Sequence, residues 1–232
     1  MVVGQRVTSG IHGLDKVISG GFKKNSVNLV AGNPGSGKTI FAMQFLLEGL
    51  KKGESCLFIT FDETKEKLLA DFSEMNWELE RFERMGTLKI LEYTPEQLRQ
   101  LIAEGGGTLD SLVSQLKAQR IVVDSISSYG LIFSSEITKH ESSLAFFDLL
   151  QRWDCTAVMT SNQVEGTGDT LTVSSDFEAD SVTMLYHYKK KGTRERALEV
   201  VKMRGTKTPE KIMKMTLDNK GVTVDPKKIV SL

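Results

Sequence analysis

Eight consecutive residues, Gly32, Asn33, Pro34, Gly35, Ser36, Gly37, Lys38 and Thr39, fit the pattern G-x-x-x-x-G-K-[ST] in full. Each residue type has a task in phosphate chemistry. Glycines let the backbone turn so that successive N–H groups point into one concave nest around a phosphate. Lys38 is placed to reach the β- and γ-phosphates, and the Thr39 hydroxyl to ligate Mg²⁺. The helix expected to follow adds partial positive charge at its N-terminus, facing the phosphate.

A phosphate loop alone implies only that a nucleoside phosphate binds; hydrolysis needs further groups. Asp124 ends the β-branched run Arg120-Ile121-Val122-Val123 and is the expected Mg²⁺-holding acid, on a strand expected beside that of the loop. The alternative is a surface acid at a strand end. Asp62 and Glu63 follow the apolar run Cys56–Phe61 and are candidates to activate a water. Side chains alternate along a strand, so one of the two is expected to face the nucleotide, with Glu63 ahead of Asp62 on length. Otherwise both cap the following helix near Thr64. Asn162 and Gln163 follow another strand-like run, where a neutral amide can sense a γ-phosphate or simply cap a loop. Lys202 and Arg204, two apart, are expected on the same strand face as Leu198 and Val200. They are either an exposed pair or cations for an anion, such as the γ-phosphate of a neighbouring subunit.

The elements that must position these groups follow from periodicity. Ser26–Ala31 reads as a strand before the loop and Ile40–Leu50 as a largely buried helix after it. A short helix over Leu14–Ser19 precedes them, ended by Gly20. Strands are expected at Cys56–Phe61, Leu88–Leu91, Arg120–Asp124 and Thr156–Thr160. Helices are expected over Lys65–Met75, from Thr94, around Leu109–Leu116 and over Leu144–Trp153. Val182–Tyr188 and Ala197–Met203 read as strands joined by the basic turn Lys189–Gly192, and Ile212–Leu217 with Val222–Val224 as a last hairpin. Early strands alternate with helices and late ones come in hairpins. The expected class is α/β, a nucleotide-binding core with a mainly parallel sheet flanked by helices and antiparallel C-terminal strands. It would form one domain over 1–232, with a lead-in (1–25), a core (26–188) and a β extension (189–232).

Composition narrows the function classes. Lys plus Arg equals Asp plus Glu at 30 each, so no global charge pulls the chain toward nucleic acid or anionic membrane. No apolar run is long enough to span a membrane, and the N-terminus lacks the apolar stretch of a signal peptide. Two cysteines, Cys56 and Cys155, lie in or beside strand-like runs and read as buried hydrophobes, and with three His a zinc site has little to build from. A reducing cytoplasmic compartment is expected. Lys189–Lys191 reads as a solvated hairpin tip, and Met203, Met213 and Met215 as core.

Several stretches together resemble the KaiC-like branch of the RecA/RadA ATPases. They are Thr8-Ser9-Gly10-Ile11-His12-Gly13-Leu14-Asp15 with Gly20-Gly21, the phosphate loop, Phe61-Asp62-Glu63, Val122-Val123-Asp124-Ser125, and Lys202-Met203-Arg204-Gly205-Thr206. The resemblance runs from about Val7 to Val224. It implies a RecA-like core, ATP/ADP and Mg²⁺ as ligands, and self-association into hexameric rings or filaments with nucleotide at subunit interfaces. An ATPase is expected, with slow hydrolysis. It implies catalytic roles for Asp62 and Glu63, and trans-acting roles for Lys202 and Arg204. Thr160-Ser161-Asn162-Gln163-Val164 is closer to the RadA version. Family members usually have two Glu where this chain has Asp62-Glu63. The clock-type members have two tandem domains, and the Ser-Thr pair of their autophosphorylating repeat corresponds here to Asp176 and Phe177, so autokinase activity is not expected.

Two other functions are compatible with the same motifs: a recombinase-like DNA-binding ATPase and a non-hydrolysing ATP-gated scaffold. The loops that would face DNA, Ser127–Glu141 and Val164–Ala179, hold one Lys (Lys139) and no Arg against Glu136, Glu141, Glu165, Asp169, Asp176 and Glu178. Phosphate contacts depend on Lys and Arg, so nucleic acid is disfavoured and a protein client is expected instead.

Overall fold

The computed structural model describes residues 5–130, 132–133, 135–162, 164–165, 172–173 and 179–232. In chain order the elements are β1 (Arg6–Val7), β2 (Phe22–Lys23), β3 (Val27–Gly32), α1 (Lys38–Lys51), β4 (Cys56–Thr60), α2 (Lys65–Glu74), α3 (Leu79–Arg84) and β5 (Leu88–Glu92). Then come α4 (Pro95–Ala103), α5 (Gly107–Leu116), β6 (Arg120–Asp124), α6 (Ile126–Gly130), α7 (Glu136–Arg152) and β7 (Thr156–Ser161). The last are β8 (Val164–Glu165), β9 (Thr172–Val173), β10 (Ser181–Lys190), β11 (Thr193–Met203), β12 (Met213–Asp218) and β13 (Gly221–Ile229).

Nine strands form one sheet in the order β13-β12-β11-β10-β3-β7-β6-β4-β5. From β10 to β5 every neighbour is parallel, and from β10 to β13 every neighbour is antiparallel. Parallel strands need crossover helices, which cover both faces and make the strands apolar throughout. Thus β3, β4 and β7 are buried along their whole length. Alternation divides their side chains between two cores. Phe58, Val122 and Val158 face α1 and the lead-in, among Phe41, Phe45, Ile11 and Leu14. Leu57, Ile59, Ile121 and Val123 face Leu98, Leu109 and Phe146 of the helices on the other side. Each fully buried Phe or Leu contributes about 1.5–3 kcal/mol.

The mixed sheet with its antiparallel C-terminal strands is the expected class. Four details differ from expectation. β7 lies between β3 and β6, so the strand ending in Asp124 is one removed from the loop strand rather than beside it. Residues Leu14–Ser19 form hydrogen-bonded turns instead of a helix, with Val17 and Ile18 N–H both donating to the Leu14 carbonyl. α7 starts at Glu136, capped by Ser135, a full two turns before Leu144. β10 runs on through Lys190, which confines the basic turn to Lys191 and Gly192. The Thr94 start of α4 is a complete capping box with Gln97 and Pro at the first turn.

Both cysteines are buried, and burial pushes each thiol up to about 12, far from a reactive thiolate. Among the described residues no helix is long and apolar enough to cross a membrane.

Candidate functional site

β3 delivers the phosphate loop to the C-terminal end of the parallel strands, where α/β sheets bind ligands. Gly32 permits this exit, because a Cβ there would stand 2.2 Å from the Leu185 carbonyl oxygen of β10. Gly37, at φ 101°, is the N-cap of α1 and aims its first N–H groups at the loop's hollow. The hollow opens into a cleft of about 460 Å³ whose walls include Lys38, Thr39, Asp62, Glu63, Asp124 and Asn162. Eight of the predicted site residues, Pro34, Gly35, Gly37, Lys38, Thr39, Asp62, Glu63 and Asp124, come together here with Asn162, drawn from the loop and the start of α1, the end of β4, the end of β6 and the end of β7.

Lys38 folds back over the loop, its Nζ donating to the Gly32 carbonyl at 2.8 Å and the Asn33 carbonyl at 3.1 Å. Burial lowers its pKa to about 8, opposed by the nearby Asp124 carboxylate. Burial likewise pushes the Asp124 carboxyl above the ordinary range. Hydrogen bonds from Thr160 and Thr39 oppose that rise, Asp62 adds to it, and the Lys38 charge opposes it. A cation and an acid are thus held in a partly dehydrated site, each away from its ordinary pKa, which is the signature of a site built for another charged species.

Asp62 accepts hydrogen bonds from the Ser125 hydroxyl at 3.1 Å and from the Ser128 hydroxyl. Glu63 is ion-paired with Lys67 at 3.0 Å. Its backbone is closed onto Thr60, whose hydroxyl donates to the Glu63 carbonyl at 3.0 Å and accepts its N–H at 3.2 Å. Both acids line the cleft. The alternation argument for only one of them does not apply, because β4 ends at Thr60 and both residues lie beyond it in a tight turn. Thr64, not either acid, caps α2. Asn162 is set by its N–H, which donates to the Ser127 hydroxyl at 2.7 Å. Gln163 lies outside the described residues, as do most of Val164–Ala179 and the side chains of Glu136 and Lys139.

Lys202 and Arg204 are not in this cleft. Met203 pairs with Ser181, which pairs with Asn28 near the start of β3, whereas the loop leaves β3 at Gly32 beside Leu185. That interval is about 13 Å of strand, at about 3.3 Å per residue. They also do not share the face of Leu198 and Val200. A bulge at Val201 shifts the register between Val182 and Thr183. Met203 therefore joins Leu198 and Val200 in the core, Lys202 turns the other way, and Arg204 lies past the strand in an exposed turn.

One cleft residue was missed by sequence reading. Arg196 of β11 lines it and donates to the Gly35 carbonyl. Its signal was an Arg on a half-buried strand, indistinguishable by spacing from its neighbour Arg194.

The residues present fit a Mg²⁺–nucleotide. Ser36, in the middle of the loop, has a fully buried hydroxyl with no hydrogen-bond partner among the described residues, a polar group left unsatisfied within the loop. Thr39 and Asp124, already hydrogen-bonded to each other, are the oxygen ligands available for the ion. No three His, Cys, Asp or Glu side chains cluster as a metal site among the described residues. An ion here would therefore share its coordination with phosphate oxygens and water.

The family model described as "ATPase: KaiC" matches residues 7–229. The circadian clock protein KaiC3 of Synechocystis sp. is 31% identical over 98% of this chain and 47% of its own length. The circadian clock oscillator protein KaiC of Synechococcus elongatus is 28% identical over 93% of this chain and 43% of its own. The chain thus spans about half the length of these curated relatives. The crystal structure of a KaiC-like protein of Pyrococcus horikoshii OT3 superposes with a TM-score of 0.82 at 28% identity, covering 96% of this chain and 100% of that one. The chain belongs to the KaiC ATPase family.

Proposed function

We propose that this chain is a single KaiC-like domain that binds ATP with Mg²⁺, hydrolyses it slowly, and acts as a nucleotide-driven oligomeric switch. Its site would be completed by Lys202 and Arg204 of a neighbouring copy. One observation carries this reading. Lys38, Thr39, Asp62, Glu63, Asp124 and Asn162 converge on the cleft, while Lys202 and Arg204 sit toward the opposite end of the same sheet. They are too distant for their own cleft and exposed enough to serve another.

The chemistry follows from the placement. The loop N–H groups and Lys38 would hold the β- and γ-phosphates. Thr39 and Asp124 would hold Mg²⁺, which when bound neutralises charge on the phosphate oxygens. Glu63, or Asp62 held by Ser125 and Ser128, would orient and deprotonate the attacking water. Asn162 would sense the γ-phosphate and pass its loss through Ser127 to α6. Lys202 and Arg204 of the neighbour would stabilise charge on the transferring phosphoryl group.

The test is ATP hydrolysis per subunit against protein concentration, for wild type, Glu63→Gln and Arg204→Ala, with and without single-stranded DNA. Activity that rises with concentration, and is lost in both variants while ATP still binds, supports the interface site. Concentration-independent activity surviving Arg204→Ala in a confirmed monomer sinks it. Strong stimulation by DNA would favour a recombinase-like role.

A further inference from the structure

Arg204 has two attachments, and both lead to Asp180. Its backbone N–H donates to the Asp180 carbonyl at 2.8 Å, and its guanidinium lies 3.8 Å from the carboxylate oxygen Oδ1. Asp180 is in turn joined twice to Val27, the first residue of β3. Its N–H donates to the Val27 carbonyl at 2.8 Å, and its other carboxylate oxygen, Oδ2, accepts the Val27 N–H at 3.0 Å. From Val27 the strand runs straight into the phosphate loop. The turn after Arg204 is held from the other side by the lead-in. Arg6 donates to the Thr206 hydroxyl at 2.7 Å and to the Gly21 carbonyl at 3.0 Å, so the lead-in and the Lys202–Thr206 stretch meet here.

We propose that Asp180 is a positioning residue for Arg204: it sets where that cation points and ties it to the strand carrying this chain's own phosphate loop. The inference rests on the reading of Arg204 as a contact to a neighbour's nucleotide. An exposed arginine loses much rotamer freedom each time it engages a partner, and an ion pair that restricts it beforehand reduces that loss. The anchor also gives the contact a route inward. A pull on Arg204 from the neighbour's phosphate bears on Asp180 and, through it, on the start of β3. The carboxylate divides into two tasks that substitution can separate. Accepting the Val27 N–H needs only an oxygen, which an amide supplies. Holding the guanidinium needs the charge, which an amide lacks.

The experiment measures turnover at saturating ATP and ADP affinity for wild type, Arg204→Ala, Asp180→Asn, Asp180→Ala and the Arg204→Ala/Asp180→Asn double variant. Asp180→Asn is expected to lower kcat by at least about fivefold with ADP affinity within about twofold of wild type, and to add less than about twofold to the loss in Arg204→Ala. A wild-type kcat in Asp180→Asn overturns the inference, as does a fully additive loss in the double variant. So does a fall in ADP affinity matching the fall in kcat, which would assign Asp180 to its own strand alone. Turnover untouched by Arg204→Ala would instead remove the neighbour reading, and this inference with it. Asp180→Asn keeps the Val27 acceptor, so the test stands even if Asp180→Ala does not fold.

Discussion

The Arg196 guanidinium donates two hydrogen bonds to the Gly35 carbonyl, 3.3 Å from Nε and 3.1 Å from Nη2. Arg196 is paired across the sheet with His187, which lies against Gly35 and hydrogen-bonds the Pro34 backbone. The antiparallel extension therefore grips the crown of the phosphate loop. Because the Gly35 carbonyl can be hydrated once released, Arg196→Ala should cost about 1–1.5 kcal/mol of loop order, read as about tenfold weaker ADP binding. Arg196→Lys should not restore it, since one ammonium cannot reproduce a planar fork on one carbonyl. Titration calorimetry with ADP decides, and unchanged affinity in Arg196→Ala would show that the grip is incidental.

Lys38 makes nucleotide affinity depend on alkaline pH. Its pKa in the free chain is lowered to about 8 from the usual 10.5, and a bound phosphate supplies the counter-charge that raises it again. Binding therefore takes up a proton above pH 8, and ADP affinity should fall by about tenfold per pH unit there until the bound pKa is reached. Below about pH 7 Lys38 contributes no slope. The nucleotide-free chain shows the opposite trend: between pH 8 and 10.5 the unfolded state binds more protons, so Lys38 contributes stability that grows with pH. Lys38→Arg, whose charge does not titrate in this range, should flatten the affinity profile above pH 8. A profile equally steep in that variant would assign the proton elsewhere.

Asp124 should trade stability for function. Its carboxyl is held above the ordinary range by burial, so the folded chain favours its neutral form. Stability from that preference is present at low pH and lost as pH rises through the folded pKa. Asp124→Asn keeps the shape without the charge. It should raise the nucleotide-free unfolding midpoint by about 3 °C, corresponding to about 1 kcal/mol, while abolishing Mg²⁺-dependent hydrolysis. Thermal unfolding at pH 7 with and without Mg²⁺–ATP tests both halves. A midpoint at or below wild type would mean that the hydrogen bonds from Thr160 and Thr39 outweigh the burial cost.

What the sequence revealed, and what it hid, follows from how local each signal is. The phosphate loop, the Thr94 capping box and the run ending in Asp124 are short patterns whose geometry is fixed within a few residues, and they appear where expected. Strand order is not local, so nothing near Asp124 could indicate that β7 separates its strand from β3. Lys202 and Arg204 do not point to the side that strict alternation predicts, because one extra residue, Val201, reverses it. A bulge in an apolar strand leaves no mark in a two-residue period. Arg196 and Asp180 were invisible as site residues for a related reason: their importance comes from partners at Gly35 and Val27, more than 150 positions away.

Glu63 and Asp62 should separate by what holds them. Asp62 is bound to Ser125, next to Asp124 at the end of β6, and to Ser128 of α6, whereas Glu63 faces Lys67 across a half-exposed ion pair. If Glu63 orients the water, Glu63→Gln should lower kcat by about 10²–10⁴ with ADP affinity unchanged. Asp62→Asn should also weaken Mg²⁺ dependence, because it alters the hydrogen bonding beside Asp124. Steady-state kinetics across a Mg²⁺ titration distinguishes the two. A larger kcat loss in Asp62→Asn, at unchanged Mg²⁺ dependence, would exchange their roles.

Arg120 should matter for stability and not for binding, though it belongs to the same strand as Asp124. Its side chain is 1% exposed, donates to the Thr8 and Phe45 carbonyls at 2.8 Å each, pairs with Glu54, and lies 4.6 Å over the Phe45 ring. It thereby joins the start of β6 to α1 and to the lead-in. Arg120→Leu removes the donor to the Thr8 and Phe45 carbonyls and the cation over Phe45, while Thr8 and Glu54, both partly exposed, can be rehydrated. The expected cost is about 3 kcal/mol, toward the low end for breaking a buried pair, or roughly 6–12 °C in the unfolding midpoint. Gly49 provides an internal control, since a Cβ there would stand 2.5 Å from the Arg120 Nε. Gly49→Ala should destabilise the wild-type chain and do so much less in the Arg120→Leu background, a non-additivity expected only of groups in direct contact. ADP affinity measured well below the midpoint should stay within about twofold of wild type, because the cleft lies at the other end of β6. Additive losses in the double variant would mean that Arg120 does not occupy the space beside Gly49, and a large loss of affinity would mean that the hub at the base of the sheet supports the site at its top.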